Sequence, residues 1–65
     1  MKIVVNGEPQ TTRATTLAEL LAALGLGDAK IATAVNGDFV PARARGAVSL
    51  AENDAVEIVA PRQGG

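Results

Sequence analysis

Two Asn-Gly dipeptides, at positions 6–7 and 36–37, constrain the fold of this chain more than any other feature of its sequence. A two-residue type I′ turn requires positive φ at both central residues, and Asn followed by Gly tolerates this well. Each dipeptide follows a short run that favours β-structure, residues 1–5 in the first case and 31–35 in the second. The sequence therefore predicts two β-hairpins.

The returning strands of the two hairpins carry weaker signals. Residues 8–13 contain Pro9, which lacks a backbone N–H and so fits only an edge strand. Residues 38–40 form a short partner for the second run and end at Pro41. We expect the first returning strand to lie at the margin of the sheet.

One short helix is predicted between the hairpins. Thr16 and Glu19 have the spacing of a capping box, in which each side chain accepts a hydrogen bond from a backbone N–H of the first turn. A single apolar stripe at helical spacing is formed by Leu17, Leu20, Leu21 and Leu24. Gly25 suits the left-handed residue that ends a helix. A helix of about residues 17–24 is too short to be stable alone, so it must pack on a sheet.

The rest of the chain supplies one more strand. Residues 42–53 are irregular, and Leu50 is their expected buried anchor. Residues 53–54 predict a turn, and residues 55–60 predict the final strand. This order of elements predicts an α+β fold with one helix packed across one face of a mixed sheet of four to five strands.

Strand alternation assigns the two faces of this sheet. The residues expected to face the helix are Ile3, Val5, Val56 and Ile58. The opposite face carries the candidate partner-binding residues Val4, Ala34, Phe39 and Val59. An exposed apolar patch of this kind marks a protein interface. The alternative for Phe39, the sole aromatic residue, is packing at the rim of an alanine-rich core.

Composition and charge narrow the possible functions. A chain of 65 residues with a formal net charge of −1 is expected to form one domain without the basic footprint of nucleic-acid or membrane-surface binding. The absence of Cys and His removes thiolate nucleophiles, the usual metal ligands and the commonest general base. No apolar run approaches the roughly 18 residues of a membrane span. We expect a cytoplasmic protein that is not an independent enzyme and has no catalytic or metal-binding residues.

The sequence ends in Gly64-Gly65. We expect residues 1–61 to form the domain and residues 62–65 a flexible tail, which is narrow enough to enter a channel that a Cβ would obstruct. An α-carboxylate at its end can attack the α-phosphorus of ATP to form an acyl-adenylate. A sulfur nucleophile can then displace AMP and leave a thiocarboxylate. The alternative is a frayed end or a remnant of cloning.

These features together resemble a known family. The hairpins, the single helix and the Gly-Gly end are similar to the ubiquitin-like β-grasp proteins. The sequences VNGDFVP over residues 35–41 and VEIVAPRQGG over residues 56–65 resemble the bacterial sulfur carriers of thiamine thiazole synthesis. The resemblance covers essentially the whole chain. The family commonly has Arg directly after the Val-Pro pair, whereas here Ala42 takes that place and Arg43 and Arg45 follow.

The resemblance implies a fold and a role. The first and last strands should be adjacent and parallel at the centre of the sheet. The chain should be a cosubstrate. A ubiquitin-activating-type adenylyltransferase uses ATP and magnesium to adenylate Gly65, and Gly64 is the narrow residue that leads to it. Sulfur from a persulfide, supplied by a donor such as a cysteine desulfurase, then forms the thiocarboxylate, and thiazole synthase receives it. The carrier itself binds no cofactor and is expected to be a monomer when free.

Other assignments remain open at the level of sequence. Arg62 either meets an acidic groove on a partner or keeps the tail soluble. Rival functions are the small subunit of molybdopterin synthase, a protein-conjugating modifier and a passive interaction module that makes no use of its glycines. Ordinary surface charges are expected at Lys2, Arg13, Lys30 and Glu57.

Overall fold

The first and last strands lie side by side at the centre of the sheet in the computed structural model, which describes residues 1–60. The sheet has five strands in the order β2-β1-β5-β3-β4, with β1 parallel to β5 and every other pair antiparallel. The α+β architecture and the central parallel pair are both confirmed. The strands are β1 (Lys2–Val5), β2 (Glu8–Thr11), β3 (Ala32–Val35), β4 (Asp38–Val40) and β5 (Ala55–Val59), and the helix is α1 (Leu17–Ala23).

Both predicted hairpin turns are present. Asn6 and Gly7 have φ of 49° and 84°, and Asn36 and Gly37 have φ of 51° and 86°. Positive φ at both central positions is the type I′ geometry that matches the twist of the flanking strands. The strand containing Pro9 lies at the edge of the sheet, as predicted, because its proline cannot donate to a second neighbour.

The predicted capping box begins α1. The Thr16 hydroxyl accepts a hydrogen bond from the Glu19 backbone N–H at 3.2 Å, and a Glu19 carboxylate oxygen accepts one from the Thr16 N–H at 3.3 Å. The same carboxylate oxygen accepts bonds from the Thr15 N–H and hydroxyl, each at 2.7 Å. These bonds, with the Thr15 N–H first, lower the pKa of Glu19. The charged carboxylate therefore stabilises the start of the helix.

The predicted glycine, Gly25, also terminates α1. Gly25 has φ of 77°, its N–H donates to the Ala22 carbonyl at 3.1 Å, and the Leu26 N–H donates to the Leu21 carbonyl at 2.8 Å. This pair of bonds is the Schellman motif. The helix ends one residue earlier than predicted, at Ala23, with Leu24 as its capping residue.

The core lies between α1 and one face of the sheet. Its buried apolar residues are Ile3, Val5, Ala14, Leu17, Leu20, Leu21, Val40, Leu50 and Val56. Ile58 is half-buried and packs against this cluster on the same side, as predicted. Leu24 is the exception in the predicted apolar stripe: its side chain is 38% exposed, because the helix has already ended there.

One element departs from the sequence prediction. The stretch expected to be irregular contains a 3₁₀-helix at Ala42–Ala47. Two backbone hydrogen bonds tie the chain that follows it to the start of α1: the Leu17 N–H donates to the Val48 carbonyl, and the Leu50 N–H donates to the Thr15 carbonyl. Leu50 is buried, as predicted. A 3₁₀-helix leaves no amphipathic period in so short a segment, so the sequence pattern does not reveal it.

The contrast between two leucines of one stripe gives a test of the helix orientation. Leu21→Ala should lower the free energy of unfolding by about 2–5 kcal/mol, since it removes a buried side chain from a thin core. Leu24→Ala is the matched control, and it should cost less than about 1 kcal/mol because the side chain is partly exposed. Urea unfolding followed by circular dichroism measures both. Equal losses would contradict the assigned orientation of α1.

Candidate functional site

The face of the sheet away from α1, here called the open face, carries the four apolar residues among the predicted partner-binding residues. Strand register sets this, because residues directly paired across strands point to the same side. The register pairs Val4 with Ala55, Ala34 with Glu57 and with Phe39, and Val59 with Ala32. Positions 55, 57 and 59 of β5 alternate with the buried Val56, so the whole set lies opposite the core.

Three of the four residues form one cluster. Phe39 and Ala34 are direct cross-strand partners, and Val59 on β5 pairs with Ala32, two residues before Ala34 on β3. Phe39 is 70% exposed and Val59 is 62% exposed, so the alternative in which Phe39 packs at the core rim is wrong. With neighbouring residues they line a depression of about 180 Å³, here called the Phe39 depression, formed by Ala32, Thr33, Ala34, Phe39, Glu57 and Val59.

Val4 lies on the same face but outside this cluster. It is half-buried and pairs with Ala55, at the opposite end of β5 from Val59. Ala55 and Val59 are four residue steps apart along β5, about 13 Å at the usual rise of a strand. The structure therefore unites Ala34, Phe39 and Val59 and leaves Val4 apart.

A second depression opens beside the end of β5. It has a volume of about 490 Å³, and we call it the exit groove because Val59, the last residue of β5, forms part of its wall. Its lining residues are Ala29, Lys30, Ile31, Ala32, Ala42, Arg45 and Val59. Sequence reasoning treated Lys30 as an ordinary surface charge, because nothing in the sequence shows that the α1–β3 loop meets the 3₁₀-helix here.

The two arginines that follow the Val-Pro pair have different surroundings in the structure. Arg45 donates from Nη2 to the Ile31 carbonyl at 2.7 Å and from Nε to the Thr33 hydroxyl at 3.1 Å. That hydroxyl in turn donates to the Val40 carbonyl at 2.8 Å, and Thr33 is only 2% exposed. Arg45 thus joins the 3₁₀-helix to β3, whereas Arg43 is exposed.

Both turn asparagines bind β5 through their side chains, a role that sequence reasoning missed. The Asn6 amide accepts from the Ile58 N–H at 2.8 Å and donates to the Ile58 carbonyl at 3.1 Å. The Asn36 amide accepts from the Ala55 N–H at 2.9 Å and donates to the Asp54 carboxylate at 2.9 Å. These contacts fix both ends of the strand that leads to the glycines.

The bond from Asn36 also favours the ionised form of Asp54. Its amide N–H, and secondly the Ala51 backbone N–H at 2.8 Å, lower the pKa of the Asp54 carboxyl. Asn53, with φ of 69°, forms the predicted turn just before it. The second hairpin and the turn before β5 are therefore held together by an ionised carboxylate.

The remaining predicted site residues, Gly64, Gly65 and Arg62, lie outside the described residues. Within residues 1–60, no three His, Cys, Asp or Glu side chains come together in a group that could hold a metal ion. No helix in that part of the chain is long and apolar enough to cross a membrane.

A five-stranded mixed sheet with a central parallel pair, one covering helix and an open face defines a ubiquitin-like β-grasp protein. The match to a family model is more specific, since the model of the ThiS family matches residues 3–65. The chain belongs to the ThiS family, whose members are small sulfur carriers of thiamine biosynthesis and not enzymes.

Solved structures agree with this assignment. The chain is similar to the crystal structure of the thiamine biosynthesis protein ThiS from Geobacter metallireducens, with 32% identity, full coverage of both chains and a TM-score of 0.84. It is also similar to a solution NMR structure of a thiamine biosynthesis protein from the same organism, with 30% identity and a TM-score of 0.79. That comparison covers all of this chain and 88% of the other.

A curated relative has a different size. The chain is 45% identical over 60 residues to a protein of Magnetococcus marinus named thiazole synthase. The match covers 91% of this chain but only 18% of that relative. The chain therefore spans about a fifth of the length of the curated relative that it matches.

The lowered pKa values of Asp54 and Glu19 predict a loss of stability in acid. A carboxyl with a depressed folded pKa contributes stability that is full above its unfolded pKa of about 4 and is lost as the pH falls through the folded pKa. Thermal melts of the parent chain should therefore show a falling Tm below about pH 4. Asp54→Asn should melt lower at neutral pH and lose less on acidification.

A second variant tests the cause of the Asp54 shift. Asn36→Ala removes the side-chain donor that lowers this pKa most, so it should also flatten the acid dependence of the Tm. If the parent, Asp54→Asn and Asn36→Ala lose stability in parallel from neutral to acid pH, the ionised carboxylate does not hold this turn.

Proposed function

We propose that this chain carries sulfur as a thiocarboxylate on Gly65 and delivers it for the thiazole ring of thiamine. The observation that carries the proposal is the ThiS family match, which includes both Gly64 and Gly65. Full-length similarity to a thiamine biosynthesis protein supports the same pathway. The molybdopterin synthase small subunit and the passive interaction module receive no such support.

The proposed chemistry takes place on the terminal carboxylate. An ionised carboxylate oxygen of Gly65 attacks the α-phosphorus of ATP, and pyrophosphate leaves. The resulting acyl-adenylate is a mixed anhydride, so a sulfur nucleophile can attack its carbonyl carbon and expel AMP. When the nucleophile is a persulfide, a thiol must then cleave the S–S bond to release the thiocarboxylate. A partner adenylyltransferase supplies the ATP site and the magnesium, and the carrier supplies only the reacting carboxylate.

The fold is consistent with a carrier that supplies the carboxylate while a partner enzyme supplies the catalytic groups. The strand that leads to residues 61–65 is central in the sheet, and two asparagine side chains bind its ends. A fixed point of departure lets a partner bind the domain and the terminal carboxylate in one geometry, which lowers the entropy cost of the reaction. Neither a catalytic group nor a bound cofactor on the carrier is required.

The open face supplies a docking surface for the partners. The exposed Phe39 and Val59 form an apolar patch suited to a protein interface. The relative named thiazole synthase contains a region similar to this chain, which supports thiazole synthase as the acceptor of the sulfur. The other proposed partners are an adenylyltransferase and a sulfur donor such as a cysteine desulfurase. We place all of these steps in the cytoplasm, where ATP is available.

Intact-protein mass spectrometry tests the chemistry. Incubation with the cognate adenylyltransferase, ATP, magnesium and a sulfur source should raise the mass by one oxygen-to-sulfur exchange. Fragmentation should localise the sulfur to Gly65, and a chain lacking Gly65 should not change. An unchanged mass in the presence of an active adenylyltransferase would contradict the carrier function, as would sulfur found at another residue.

The Phe39 patch can be tested separately from the chemistry. Phe39→Ala should weaken binding to the adenylyltransferase or to thiazole synthase by about 30-fold if the ring is an interface anchor worth roughly 2 kcal/mol. Leu24→Ala removes an exposed apolar side chain away from the open face, and it serves as the control. Calorimetric titration measures both. Equal affinities for Phe39→Ala and Leu24→Ala would exclude the patch from both interfaces.

A further inference from the structure

The exit groove differs in charge from the protein that contains it. The chain as a whole has a formal net charge of −1. The described residues that line the groove include two cations, Lys30 and Arg45, and no carboxylate. The rest of the lining is apolar: Ala29, Ile31, Ala32, Ala42 and Val59. A groove lined by two cations and by apolar residues complements a segment that presents a carboxylate next to an apolar side chain.

Arg45 is already positioned for such a contact. Its Nη2 and Nε atoms donate to the Ile31 carbonyl and the Thr33 hydroxyl, so the guanidinium is held in place by its own fold. A guanidinium has five N–H donors, which leaves others for a carboxylate. Because the side chain is already ordered, binding costs little further rotamer entropy. Lys30 adds an exposed second charge from the α1–β3 loop.

The groove also lies within reach of the reacting end. Val59 both ends β5 and lines the groove. The five residues from 61 to 65 can span at most about 18 Å when fully extended. An enzyme that holds Gly65 in its active site must therefore bring its own surface close to the end of β5, and the exit groove is the larger of the two depressions described there.

The neighbouring Phe39 depression has the opposite charge. It shares Ala32 and Val59 with the exit groove, but its charged lining residue is Glu57. An acidic segment placed in the Phe39 depression would meet a like charge, whereas in the exit groove it would meet two cations. The two adjoining depressions therefore favour different parts of a partner surface, and an acidic part of the partner fits the exit groove.

We infer that the exit groove is the docking site for an acidic, partly apolar segment of the adenylyltransferase that activates Gly65. This inference rests on the proposed function and adds to it the part of the domain that the enzyme recognises. Lys30 and Arg45 pair with carboxylates of that segment, and Val59 and Ile31 contact its apolar side chain. These contacts position the carrier and leave the chemistry at the carboxylate unchanged.

Charge reversal at Lys30 gives the test. Lys30→Glu should raise the KM for the carrier in the adenylation reaction by about three- to tenfold at low ionic strength, with kcat unchanged at saturation. The effect should shrink as salt is raised to about 0.5 M, because exposed charges are screened. Arg13→Glu is the matched control: it makes the same change in net charge at an exposed residue that lines neither depression.

The outcomes separate the two proposals. A KM raised by Lys30→Glu but not by Arg13→Glu supports the exit groove as the acidic docking site. Equal KM values for the two variants, with normal adenylation of the parent chain, would overturn this inference and leave the carrier function intact. A parent chain that the enzyme never adenylates would overturn the carrier function and this inference together. Circular dichroism should show the parent spectrum for both variants.

Discussion

The structure depends on the pairing of β5 with both halves of the chain. This strand lies between β1, to which it is parallel, and β3, to which it is antiparallel, so it joins the first hairpin to the second. Its inward residue Val56 is 1% exposed and belongs to the core under α1. A 65-residue chain buries only a thin core. The central strand therefore has to supply hydrogen bonds on both edges and apolar surface on one face.

The same strand also organises the functional site. Its outward residues help to form both depressions, and its last residue precedes the segment that contains the glycines. The side chains of Asn6 and Asn36 bind it at opposite ends, so each hairpin turn contributes to the geometry of the site as well as to the reversal of the chain. A change that loosens β5 would thus reduce stability and disturb both depressions at once.

The charged residues differ in what they contact, and residue type alone does not show these differences. Arg45 bonds to β3 and lines the exit groove, while Arg43 is exposed and Lys30 also lines that groove. Asp54 and Glu19 are used within the fold, where backbone and side-chain donors stabilise their charged forms. Glu57 remains at the surface of the Phe39 depression.

The sequence by itself determined the features that depend on neighbouring residues. Asn-Gly tolerates the positive φ of a type I′ turn, the capping box and Gly25 satisfy backbone groups within one turn, and alternation places Phe39 and Val59 opposite the core. Only the tertiary structure decided which distant residues meet. It packed the 3₁₀-helix against α1, bonded Arg45 to β3, placed Phe39 beside Ala34 and away from Val4, and brought Lys30 to the exit groove. Local patterns encode hydrogen bonds between near neighbours, whereas these contacts join residues that only the packed sheet brings together.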